Sequence, residues 1–135
     1  MKKILLFALA LALTLGIYAD VVIGTGTSNQ RQPFGSYYGY ERSASLYTAG
    51  EINATGTITH LEWYVDYTDD TTIPTKIYLT TTPNTTMTST AWNTMVSGLT
   101  PVFDGNLQFN TGGWHQIDIA DFPYNHQTSG NLLVI

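Results

Sequence analysis

With 135 residues, no cysteine and a formal net charge of −5, the chain is sized for one domain with one core, and it can hold no disulfide framework, thiolate metal site or cysteine nucleophile. Beyond residue 19 only Arg31, Arg42 and Lys76 stand against ten carboxylates, a formal net charge of −7. That balance repels polyanions and anionic membrane surfaces, so nucleic acid is excluded as a natural partner.

In chain order, Lys2 and Lys3 open a positively charged stretch, and Ile4 to Ile17 follows without a charge and with Thr14 as its one polar side chain. Ile17-Tyr18-Ala19 then presents a small residue before Asp20. The order matches a secretory signal peptide cut between Ala19 and Asp20. The apolar run, about 14 residues, is short of the ~20 a membrane-spanning helix needs. No stable span is expected once it is removed, and the absence of cysteine excludes lipoprotein acylation. Residues 20–33 are expected to form an edge strand at Val21 to Ile23 and then a Gly-bearing polar linker.

From residue 34 onward the pattern is that of strands. Tyr37 to Tyr47 is predicted as strand material broken near Gly39, and Ala49 to Gly56 as a turn-rich connection. The strongest strand is Thr57 to Tyr67. There Leu61, Trp63, Val65 and Tyr67 alternate with His60, Glu62, Tyr64 and Asp66, the period of a sheet with one buried side. Asp69-Asp70 and the following threonines are expected to end it. Thr75 to Thr82 follows Pro74 with Ile77 and Leu79 inward. One short helix is predicted near 90–97, capped by Thr90, carrying Trp92, Met95 and Val96 on one face and closed by Gly98.

Asp104-Gly105-Asn106 between Val102-Phe103 and Leu107-Gln108-Phe109 predicts a hairpin. Asn110 to Gly113 is a second turn, Trp114 to Ile119 a strand with Ile117 and Ile119 inward, and Phe122 to Gly130 a loop. Leu132 to Ile135 opens a last apolar strand. The sequence stops inside it, which reads as truncation of a longer product. Thr occurs 21 times after residue 19, and Thr and Tyr suit a pleated surface. The fold class is therefore all-β, an antiparallel β-sandwich of jelly-roll or immunoglobulin-like topology.

Several segments stand in one order along the chain: Arg31-x-Pro33-Phe34, Tyr40-Glu41-Arg42-Ser43-Ala44-Ser45-Leu46-Tyr47, Glu51-Ile52, Gly56-Thr57-Ile58-Thr59, Trp92, Val102-Phe103-Asp104-Gly105, Gly113-Trp114 and Gly130-Asn131-Leu132-Leu133-Val134. The set resembles the repeated β-sandwich module of large secreted proteins in Bacteroidota-like bacteria. Such proteins often carry fibronectin-like repeats or peptidase domains and end in a type IX secretion sorting domain. The resemblance covers nearly all of the chain after residue 19. Its motifs are turn glycines, core aromatics and strand residues, so it implies no catalytic or ligand-binding residue. This sequence departs from the pattern by stopping at Ile135. Type IX export and further domains of a parent protein are implied only.

Gly24-Thr25-Gly26-Thr27-Ser28-Asn29 lacks the third glycine and the following helix of a dinucleotide loop. His60, His115 and His126 lack the helical spacing of a metalloprotease pair. Asp66, Asp69 and Asp70 are hard oxygen donors that would suit a structural calcium ion, though without EF-hand spacing, and a solvated turn explains them as well. Glu62 and Asp66, four residues apart on one strand face, lie about 13 Å from each other, beyond the ~5–9.5 Å of glycosidase carboxylates. Glu41 and Glu51 belong to loops, and no nucleophile-elbow serine occurs.

Phe34, Tyr37, Tyr38 and Tyr40 are the densest aromatic patch. Of these, Tyr37, Tyr38 and Tyr40 are, with any exposed Trp, the candidates for stacking on a sugar or a protein surface. Trp63 is assigned to the core, and Trp92 and Trp114 stay open. Asn53-Ala54-Thr55 and Asn84-Thr85-Thr86 match the N-glycosylation triplet by frequency of Thr alone. The expected function is a non-catalytic, extracellular or cell-surface module serving as spacer, adhesion or accessory domain. The alternatives are a carbohydrate-binding module and an N-terminal fragment of a secreted hydrolase or peptidase.

Overall fold

The structure is a computed structural model that describes residues 20–24, 30–35 and 38–135. The predicted signal peptide, with Ala19 at its cut, and Tyr37 lie outside the described residues. Among these residues are seven strands and two one-turn helices: β1 (Ser45–Tyr47), a helix at Ala49–Ile52, β2 (Thr55–Val65), β3 (Asp69–Ile77), β4 (Leu79–Thr82), a helix at Trp92–Met95, β5 (Phe103–Phe109), β6 (Gly113–Asn125) and β7 (Asn131–Val134). All pairings are antiparallel, in three sheets of order β1-β7-β4, β2-β6 and β3-β5. The chain is all-β. Among the described residues no helix is long and apolar enough to cross a membrane.

Alternation decides which faces turn inward. On β2 and β6 the pairs Leu61–Ile117 and Trp63–His115 lie on one side, and His60–Asp118, Glu62–Gln116 and Tyr64–Trp114 on the other. One group of buried residues is Ile52, Leu79, Tyr124 and Leu132, and a second is Ile77, Phe109 and Ile117. Leu61, Val102, Ile119 and Val134 pack against both, so the three sheets share one continuous interior. Ile77 and Leu79 are both buried. Between them Tyr78 exchanges backbone hydrogen bonds with Ile135 at 2.9 and 3.0 Å. Residues 69–82 thus run as one extended stretch that changes partner from β5 to β7.

Three residues of β6, 119–121, stand opposite the single Thr59, where the register shifts. This irregularity aims the Ala120 N–H at the Val102 carbonyl, 2.8 Å away, while the Val102 N–H donates to the Ile77 carbonyl at 2.8 Å. Val102 therefore ties β6 to the β3–β4 stretch. A bulge of this kind re-aims backbone groups without ending the strand.

Several expectations are corrected. Val21 to Ile23 forms no strand and is exposed, because it has no neighbour in the ladders. The strand expected across residues 37–47 is reduced to Ser45–Tyr47, with a turn at Tyr38 and Gly39. Tyr67, expected inward, is 88% exposed because β2 ends two residues earlier at Val65. Asp69 and Asp70 begin β3 instead of ending β2. The helix expected over 90–97 covers only Trp92–Met95. Ala91 is its N-cap, without a side-chain bond, and Thr90 Oγ1 donates to the Thr88 carbonyl instead.

The hairpin at Asp104-Gly105-Asn106 does not exist: these residues run through the middle of β5. Asp104 faces Lys76 across the ladder, with Lys76 Nζ 2.8 Å from Asp104 Oδ2. A Cβ on Gly105 would stand 3.0 Å from Phe103 Cζ, so the Phe103 ring lies over the glycine. β5 therefore pairs with β3 and does not fold back on itself. The loop expected over 122–130 also shrinks. β6 continues to Asn125, with Tyr124 buried and its hydroxyl donating to the Gly130 carbonyl at 2.8 Å.

Residues 49–52, expected within a turn-rich connection, form a helix instead, and Thr48-x-x-Glu51 is the pattern of its capping box,. Thr48 Oγ1 accepts from the Glu51 N–H, and the Thr48 N–H and hydroxyl donate to Glu51 Oε2 at 2.8 and 2.7 Å. Those two donations, the hydroxyl's first, hold the Glu51 carboxyl below the ordinary glutamate value. A depressed folded-state pKa means that the box contributes fully above the ordinary glutamate value, and that its contribution is lost as pH falls through the lowered one. An NMR titration should therefore find the Glu51 carboxyl midpoint below that of a free glutamate, with the Thr48 amide following the same curve. A midpoint at or above the free value would show that the box is not formed.

Asn131 is the one buried polar residue among those described. Its Oδ1 accepts from the Ala49 N–H at 2.8 Å, and its Nδ2 donates to the Asn84 carbonyl at 2.7 Å. One side chain of β7 thus fastens the helix at Ala49–Ile52 and the loop after β4.

Candidate functional site

Outward alternation on β2 and β6 leaves six side chains in three cross-strand rungs: Tyr64 with Trp114, Glu62 with Gln116, and His60 with Asp118. Opposed residues on antiparallel strands bring their Cβ atoms to about 5 Å, so each rung acts as a unit. The Tyr64 and Trp114 rings meet edge to face at 5.6 Å between centroids. They remain 64% and 59% exposed, which is unusual for a tryptophan. Beside them Gln116 Nε2 donates to Asp118 Oδ1 at 2.6 Å. His60 Nε2 lies 3.9 Å from both Glu62 Oε1 and Asp20 Oδ1. The face joins an open aromatic end to a row of hydrogen-bonding groups, and its fixed charges are acidic.

A second aromatic group lies along residues 31–42. Tyr38 and Tyr40 are 75% and 77% exposed. The Arg31 guanidinium stands over the Tyr38 ring at 5.3 Å, and that of Arg42 over the Tyr40 and Trp92 rings at 5.6 and 5.3 Å. These are cation–π distances. Arg42 and Trp92 also line an open depression of about 300 Å³ with Met87, Thr88, Thr90 and Met95. Of the three tyrosines proposed from the sequence, two are thus on the surface with arginine partners. Trp63 packs inward against Phe34, edge to face at 5.1 Å.

The three aspartates proposed for calcium do not form a common cage. Asp69 Oδ1 accepts from the Thr71 N–H and hydroxyl at 2.9 and 2.8 Å, closing a local turn. Asp70, its neighbour on β3, points to the opposite face, and its carbonyl accepts from Gln108 Nε2 at 2.7 Å. Asp66 lies past the end of β2. Among the described residues no three His, Asp or Glu side chains converge in a way that could hold a metal ion.

The histidines are likewise dispersed: His115 is bonded to the Thr111 carbonyl at 2.7 Å and His126 to Thr55 Oγ1 at 3.1 Å. Glu51 belongs to the capping box, and Glu41 is mostly buried with Arg31 Nε 3.9 Å from its Oε2.

Sequence leaves Trp114 open as an exposed ring, and Tyr64 is not a candidate from sequence. The alternation of β2 does put Tyr64 on the polar side. Their meeting depends on the β2–β6 register, which no local pattern states. No protein-family model, curated protein or solved structure matches the chain.

Proposed function

We propose that this chain is a secreted, non-catalytic β-sandwich module that serves as an adhesion or accessory unit of an extracellular or surface protein. In this reading β2–β6 is one layer, and β3–β5 with β4–β7–β1 is the other. The signal peptide is removed between Ala19 and Asp20. The module is of the kind repeated in large secreted proteins of Bacteroidota-like bacteria.

The observation that carries the reading is the distribution of side chains. The interior is built from Ile, Leu, Phe and Tyr, with Asn131 as its bonded polar residue. Most ionisable groups stand on outer strand faces and loops, engaged in caps, turns and cross-strand pairs. The one close group among the described residues, His60 at 3.9 Å from Glu62 and Asp20, lies on the outer face of β2. Catalysis by general acid and base requires two such groups held within reach of one reacting bond, whereas a rigid scaffold with rings on its outer face is suited to binding.

The test is expression with the native N-terminus in a host that exports through the Sec route. The exported protein should begin Asp20-Val21-Val22-Ile23. It should turn over none of a panel of chromogenic glycosides, esters and peptides. Retention of residues 1–19, or turnover abolished by a single carboxylate or histidine substitution, would refute the proposal.

A further inference from the structure

We propose that the outer face of β2 and β6 is a binding strip for a neutral oligosaccharide, with Tyr64 and Trp114 stacking on the sugar and Glu62, Gln116 and Asp118 taking its hydroxyls. The inference rests on the module reading above and names the ligand of that module.

Four features of the face select this ligand class. The first is the pairing of open rings with polar groups. Pyranose rings present apolar C–H faces and hydroxyl rims, so they match an aromatic surface continued by hydrogen-bond acceptors and donors. An apolar protein patch would desolvate Glu62, Gln116 and Asp118 and leave the rest of their hydrogen-bonding capacity unmet, at a cost.

The second is charge. The fixed charges of the face are the Glu62 and Asp118 carboxylates, and the whole chain is acidic. Sulfated, phosphorylated or uronate-rich chains are therefore repelled. A neutral polyol meets no such barrier and can donate two hydroxyls to one carboxylate as charge-assisted bonds.

The third is shape. Same-face residues repeat every ~7 Å along a strand, so three rungs span about 14 Å on a surface two strands wide. That is a long, narrow strip suited to a short linear oligosaccharide. It falls well short of the ~800 Å² per partner that a stable protein complex buries.

The fourth is rigidity. The backbone under the strip is fixed by the β2–β6 ladder, and the inward residues Leu61 and Ile117 belong to the core. The Gln116–Asp118 bond also sets the amide before any ligand arrives. Groups already in position lose little entropy on binding.

The experiment is titration calorimetry of the exported protein with neutral hexasaccharides of glucose, xylose, mannose and N-acetylglucosamine. At least one should bind. Its affinity should fall about tenfold or more in Trp114→Ala and in Tyr64→Ala, and should be largely kept in Trp114→Phe, which retains a ring. Circular dichroism and unfolding midpoints establish that the alanine variants are folded. Raising salt to ~1 M, where the Debye length is about 3 Å, should leave the affinity unchanged, because the ligand is uncharged.

Absence of binding to every hexasaccharide overturns the inference, as does binding indifferent to both rings. Binding of oligolysine, lost in Glu62→Gln and Asp118→Asn, would assign the face to a cationic peptide instead. None of these outcomes touches the module reading, which fails separately if the protein turns over a substrate.

Discussion

Leu79→Ala is expected to lower the free energy of unfolding by about 2–5 kcal/mol, the range for deleting a buried leucine side chain and leaving a cavity. Leu79 is 4% exposed and packs with Ile52, Tyr124 and Leu132. It begins β4 just after the chain changes partner from β5 to β7, and stands opposite Val134. Neighbouring backbone cannot collapse into the gap, because Tyr78 is locked to Ile135 by two hydrogen bonds.

Urea unfolding followed by tryptophan fluorescence measures the change as a shift in midpoint at constant slope. Leu79→Met, which conserves volume, should cost less than about 1.5 kcal/mol. Tyr67→Ala should stay within about 0.5 kcal/mol, since that ring is 88% exposed. Equal losses at Leu79 and Tyr67 would place both in the interior, as the alternation of β2 alone predicts for Tyr67, and would contradict the end of the strand at Val65.

Gly130→Ala is expected to destabilise by about 2–4 kcal/mol, from two separable causes. The first is conformational: Gly130 has φ of +80°, in the left-handed region where a side chain costs roughly 1–2 kcal/mol. The second is steric. An added Cβ would lie 2.8 Å from the Thr82 carbonyl oxygen and 3.4 Å from its carbon. Those are backbone atoms at the end of β4, and Thr82 pairs with Asn131 in the ladder.

Relief requires β4 and β7 to part where Asn131 holds the Ala49 N–H and the Asn84 carbonyl. Gly98 supplies the comparison. Its φ is +74°, yet a Cβ there meets nothing within 4 Å. Gly98→Ala should thus show the conformational cost alone, about 1–2 kcal/mol. Hydrogen exchange at Leu132 and Leu133 should accelerate in Gly130→Ala beyond what its global stability explains. Equal costs at the two glycines would show that the close approach to Thr82 is absent.

Local chemistry was legible wherever one residue type dictates one outcome. Leu61, Trp63 and Val65 turn inward because a strand's side chains alternate and apolar ones leave water,. Ile77, Leu79 and Ile117 follow for the same reason. The capping box at Thr48 and Glu51 is equally local, since both bonds lie within one turn, but the turn residues around it, Gly50, Asn53 and Gly56, mask the signal.

Other features depend on partners distant in the chain. Asp104-Gly105-Asn106 carries strong turn chemistry, but Lys76 and Thr75 on another strand hold it extended. Pro123 looks like a loop residue, yet it sits opposite Thr57 in the β2–β6 ladder. The aromatic patch around Tyr38 and Tyr40 was evident from density along the chain. The Tyr64–Trp114 pair was not, because its members are fifty residues apart in sequence.

By itself, the sequence determined that this is a β-rich, acidic, thiol-free chain whose apolar side chains alternate along its strands. Composition and periodicity are local properties, and each residue carries its own hydrophobicity wherever the backbone goes. Only the tertiary structure decided which strands pair, where they stop, and which outer faces carry rings. Register is set by hydrogen bonds between segments far apart in the chain, and a slip of one position between β2 and β6 would put Tyr64 and Trp114 on opposite sides of the sheet.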